Sequence, residues 1–127
     1  MKLFNLFENE NLKKVNINNI NYGGSIADRI EKIRLKDGST PEWLFRYISD
    51  EELKNILKNN KMIPSVFYKR IHASIKPLKK YMEKDGHLLA IKYDDSDGWK
   101  PKLGHDEFYA VTWNSISIDK LYLVEDI

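Results

Sequence analysis

The chain contains no cysteine, which excludes disulfides, thiolate zinc sites, iron–sulfur clusters and cysteine nucleophiles and fits a reducing compartment. No apolar run approaches the ~20 residues that span a bilayer. The opening Met1-Lys2-Leu3-Phe4-Asn5-Leu6-Phe7-Glu8 meets an acid too early for a secretory hydrophobic segment. These absences predict a cytoplasmic protein with no membrane partner. Charge of one sign is also lacking: 21 Lys and Arg stand against 19 Asp and Glu, a formal charge of +2, so bulk charge names no partner. The sequence has no internal repeat, no P-loop, no G-x-G-x-x-G, no G-x-S-x-G and no H-E-x-x-H. His72, His87 and His105 are too dispersed for metal spacing, and the Asp95, Asp97 and Gly98 register fails as a calcium loop because Gly104 stands where a bidentate Glu is required.

What is present is one domain's worth of core, 42% hydrophobic and 12% aromatic over 127 residues. Residues 1–42 read as an irregular N-terminal segment plus a helix, and 43–125 as the core. Asn9, Asn11, Asn16, Asn18, Asn19 and Asn21 before Gly23-Gly24 predict loop or irregular edge structure. Ser25 with Asp28, and Ile26, Ile30 and Ile33, predict a first helix over residues 25–36. Trp43 to Ile48 reads as a strand. Ser49 and Glu52 form a capping box at the start of a second helix with Leu53, Ile56 and Leu57 inward, stopped at Asn59-Asn60. Residues 70–75 alternate polar and apolar as a half-buried strand does. Pro77 to Lys84 reads as a third helix, and 88–93, 108–113 and 121–124 as three further strands. This is an α+β order, with helices concentrated early and strands late.

Three places carry chemistry. Arg46 shares a strand face with Leu44 and Ile48, and a guanidinium between apolar neighbours requires an anion: Glu51 or Glu42 within the chain, or a ligand's phosphate or carboxylate. Arg70, His72 and Ser74 line one side of their strand, either as a solvated face or as a polar site. Glu107, at the mouth of a strand, offers a carboxylate to a sugar hydroxyl and to developing positive charge. The cations Lys69, Arg70, Lys76, Lys79, Lys80 and Lys84 are interrupted only by Glu83 and can focus an anionic partner.

Taken in order, Leu44-Phe45-Arg46-Tyr47-Ile48-Ser49, the capped helix, Ile71-His72-Ala73-Ser74, the 88–93 strand and Glu107 before a strand resemble the small ADP-ribosyltransferase fold over about residues 43–125. The resemblance implies two small β-sheets packed crosswise with flanking helices and NAD in the cleft between them. By it, Arg46 grips the NAD phosphates, Ser74 braces the nicotinamide side and Glu107 bonds the ribose 2′-hydroxyl. His72, Tyr68 and Tyr47 join the cofactor site, and Tyr68, Phe67 or Trp99 stacks on the nicotinamide. His105 stands two residues before Glu107 where the family's toxins carry Glu or Gln, and His72-Ala73-Ser74 replaces Ser-Thr-Ser. The activity so implied is metal-free mono-ADP-ribosyl transfer from NAD to a macromolecule, an unknown protein or a nucleic acid. NAD hydrolysis without an acceptor is a variant of it. The other reading is a noncatalytic inhibitor or adaptor on this scaffold that binds a host protein through the basic 69–84 segment and exposed aromatics. Such a role suits a phage or mobile-element protein that blocks a defence in the host cytoplasm.

Overall fold

A computed structural model describes residues 12–27, 30–77, 86–102 and 108–125. Nine strands are present among them: β1 (Lys13–Asn16), β2 (Trp43–Ile48), β3 (Lys61–Met62), β4 (Ile71–Ser74), β5 (His87–Lys92), β6 (Lys100–Pro101), β7 (Tyr109–Thr112), β8 (Ile116–Ser117) and β9 (Leu121–Glu125). One α-helix, α1 (Asp50–Asn59), follows β2 directly. Seven strands form a mixed sheet in the order β1-β9-β5-β2-β4-β7-β6, and β3 pairs with β8 as a separate ribbon. β1 runs parallel to β9, and the other neighbours are antiparallel. The architecture is therefore α+β. Where two small sheets were expected, the described strands make one large sheet and a two-stranded ribbon.

β2 lies in the middle of the sheet, and its side chains other than Arg46 suit burial on both faces. Leu44 and Ile48 point to the face that α1 covers with Leu53, Ile56 and Leu57, joined by Ile71, Ala73, Leu89, Ile91 and Ala110 of neighbouring strands. Trp43 and Phe45 point the other way, where Ile20, Ala90 and the flanking Val15, Ile17, Leu88, Tyr122 and Val124 pack around them. The Asn-rich lead thus supplies both the edge strand β1 and the cover of the second face.

α1 begins and ends where capping chemistry places it. The Ser49 hydroxyl accepts from the Glu52 N–H at 3.1 Å, and Asn60 closes the helix in the left-handed region at φ 57°. The box is only half formed, since Glu52 turns its carboxylate to Arg46: a two-pronged charged contact outcompetes one bond to a backbone N–H.

The helix expected over residues 25–36 does not form. Ile26 pairs with Leu35 across an antiparallel bridge, Ala27 N–H donates to the Arg34 carbonyl and Lys36 N–H to the Ser25 carbonyl, each at 2.8 Å. Ile26 and Ile33 still reach the core. Three apolar residues at this spacing serve two extended arms as readily as one helical stripe. The third helix expected, Pro77 to Lys84, falls outside the described residues beyond Pro77.

Candidate functional site

Arg46 sits on the helix-covered face, opposite Leu89 in the β2–β5 register. Its Nε donates to Glu52 Oε2 at 3.0 Å, Nη2 to Glu52 Oε1 at 3.1 Å and Nη1 to the His72 carbonyl at 3.0 Å. The anion it needs is supplied from within, by Glu52 rather than by Glu51 or Glu42. Both side chains are about three-quarters buried, so the pair ties β2, α1 and β4 together.

Ser74 lies on the other face. It is registered against Phe45, and strand alternation sends Arg46 and Ser74 to opposite sides of the sheet. Ser74 is buried, and its hydroxyl donates to the Lys76 carbonyl at 2.6 Å, which holds the chain as it leaves β4. His72 shares this face two residues earlier and meets the Tyr68 ring edge-on, with centroids 6.2 Å apart. Tyr47 is half-buried on β2, and burial pushes its phenol pKa up, with the neighbouring Tyr22 adding to the shift. Trp99 is 1% exposed within the core and is closed to stacking on a ligand. Glu107 and His105 lie outside the described residues.

Three of the five N–H groups of Arg46 are spent on Glu52 and the His72 carbonyl, on the face of the sheet opposite Ser74. Among the described residues, no three His, Asp or Glu are grouped to hold a metal ion.

A second charged cluster surrounds residues 93–98. Arg34 forms a fork with Asp95 at 2.8 and 2.9 Å, and the Tyr93 hydroxyl donates to the same carboxylate at 2.6 Å. Lys120 reaches both Asp97 oxygens at 2.9 Å and Asp94 at 3.5 Å. The Arg34 hydrogen bond, seconded by that of Tyr93, holds the Asp95 carboxyl well below the usual range, while burial and then Asp95 push the Tyr93 phenol up. Gly98, at φ 76°, has Asn114 Nδ2 2.6 Å from where a Cβ would stand, so a side chain there would both strain the backbone and displace the Asn114 amide. These charges answer one another and act as a clasp between the 30s segment, this turn and Lys120.

The turn between β3 and β4 is built differently. Ser65 organises it: its hydroxyl accepts from the N–H of Phe67 and Tyr68 at 3.2 and 3.3 Å, its carbonyl accepts from Lys69 N–H at 2.7 Å, and its own N–H donates to the Arg70 carbonyl at 3.4 Å. Lys69 takes φ 58° to complete the reversal. The turn displays Val66 at 87%, Phe67 at 89% and Tyr68 at 67% exposure, with Ile63 half-exposed beside them. A hydrogen-bonded turn that directs three consecutive large side chains into solvent makes this tip a candidate interaction surface. Sequence reasoning named Phe67 and Tyr68 as stacking candidates and missed the turn as a unit. Its signal is Pro64-Ser65 followed by an apolar triplet that fits neither flanking element and stops at Lys69-Arg70.

No helix among the described residues is long and apolar enough to cross a membrane. No family model, curated protein or solved structure matches the chain.

Proposed function

We propose that this chain is a noncatalytic protein-binding module, of the inhibitor or adaptor kind, that seats its 63–68 turn in an apolar recess of a partner protein. The observation that carries the reading is the exposure of Val66 and Phe67 on a turn fixed by Ser65. Burying two such side chains is worth on the order of 3–5 kcal/mol before the costs of association, and a preordered turn loses little entropy when it docks. A convex tip of this kind is how a small domain presents a hot spot. NAD-dependent ADP-ribosyl transfer, the reading drawn from the family resemblance, requires Arg46, Ser74 and Glu107 to open on one cavity. The pairing of Arg46 with Glu52 and the opposite facing of Ser74 favour binding over that chemistry.

Affinity capture from host-cell extract with wild type, Phe67→Ser and the remote β1 variant Lys14→Ser tests this. A partner retained by wild type and Lys14→Ser, lost on Phe67→Ser, and found to protect residues 61–70 from hydrogen exchange is the expected result. Capture indifferent to Phe67, or transfer of label from NAD to protein in the same extract, overturns the reading, and label transfer restores the transferase in its place.

A further inference from the structure

The charges around this turn are one-sided although the whole chain is nearly neutral. Residues 53–82 contain eight Lys and Arg and no Asp or Glu, so the rest of the chain, with 13 cations against 19 acids, carries the negative balance. Lys54, Lys58, Lys61 and Lys69 are exposed and Arg70 and Lys76 half-buried. Arg70 differs from the other described arginines in its company. Arg34 grips Asp95 and Arg46 grips Glu52, each with two N–H groups, whereas Arg70 has no carboxylate partner among the described residues and its Nε is buried without an acceptor. The Nε is closed to solvent as well as to an acceptor, a cost of about 1–3 kcal/mol borne within the fold; what a partner carboxylate answers is the charge of the half-buried guanidinium, which no described carboxylate meets. Arg70 directly precedes β4 and Trp113 directly follows β7, the strand registered against it, and Trp113 is a half-exposed indole.

Resting on the protein-binding reading above, we infer that the partner segment is acidic, and that Arg70 is the specificity residue that receives its carboxylate in the end-on Nη1/Nη2 fork seen at Arg34 while Val66 and Phe67 enter the apolar recess. Protein is the occupant that the side chains favour. Ile63 and Val66 give contact area to an apolar recess but have no face on which a nucleic-acid base stacks, and a side-chain fork matches a carboxylate where a lipid surface asks only for diffuse charge. The lysines around the turn steer the encounter and Arg70 fixes the register.

The test uses the full chain and four probes: a labelled peptide of Glu-Glu-Leu-Trp repeats, its Gln-Gln-Leu-Trp counterpart, oligothymidylate, and vesicles of equimolar phosphatidylcholine and phosphatidylserine. The acidic peptide is expected to bind more tightly than the Gln peptide and to weaken with added salt. Arg70→Gln is expected to lower its affinity about tenfold, and Arg70→Lys to restore only part of it, because an ammonium keeps the charge without the fork. The exposed Lys69→Gln serves as a second variant with little risk to folding and is expected to slow association. Equal binding of the two peptides, binding of neither, or tighter binding of oligothymidylate or vesicles overturns the inference. If the captured partner still depends on Phe67 but ignores Arg70→Gln, acid recognition falls while the protein-binding reading stands; if Phe67 is irrelevant to capture, both fall.

Discussion

Arg46 on β2 and Arg70 at the entrance to β4 have opposite fates. An arginine on an apolar strand face must find an anion, and that much of Arg46 was legible from Leu44 and Ile48 on either side. Which anion was not. Glu51 and Glu52 differ by the ~100° that one residue turns a helix, and that rotation leaves Glu51 in solvent while bringing Glu52 to the guanidinium. Removing the arginine strands a largely buried carboxylate and the His72 carbonyl together. Arg46→Ala is therefore expected to lower unfolding free energy by about 2 kcal/mol, read from denaturant midpoints. A ligand-gripping arginine would leave those midpoints near wild type. Ser74 likewise reads as a candidate hydroxyl in sequence and turns out to brace its own strand end through Lys76.

At the scale of elements, β2 and α1 follow their sequence signals almost to the residue, because caps, alternation and a left-handed stop are local chemistry. The 25–36 segment does not, because its apolar spacing is satisfied by either of two backbone paths and the choice falls to the partners in space. Arg34 shows what decides: its anion lies 61 residues away on the 93–98 turn. That clasp has a pH signature. Asp95 and Asp94 are held below their unfolded values, Asp94 chiefly by hydrogen bonds from Ser96, so their contribution to stability is complete above the unfolded carboxylate value of about 4 and is lost as pH falls through the folded values. Thermal melts are expected to drop as pH is lowered below about 4, and Asp95→Asn to flatten that acid limb. An unchanged limb in the variant would assign the acid sensitivity to other carboxylates.

At the scale of the molecule, α1 covers one face of the sheet, and residues 17–20 cover the other over β1, β9, β5 and β2. The second cover hangs on Ile20, which is buried against Trp43 and Phe45. Ile20→Ala is expected to cost about 2–4 kcal/mol, to sharpen tryptophan quenching by solute as Trp43 opens, and to leave binding at the 63–70 turn unchanged at temperatures where the variant is folded. Quenching equal to wild type would mean that the N-terminal cover contributes little to that face.

The sequence by itself determined the strands and helix whose signals are local: the 43–48 alternation of branched and aromatic residues, the Ser49 cap, the polar and apolar alternation around 71–74. It also placed an unusual apolar triplet beside a run of cations. Only the tertiary structure decided that β1 runs parallel to β9, that Arg46 is spent on Glu52, that Ser74 faces away from it, and that Phe67 stands in water while Trp99 does not. Local torsions and caps act within a few residues of the chain, whereas the face a side chain presents and the partner it meets depend on register between strands far apart in sequence.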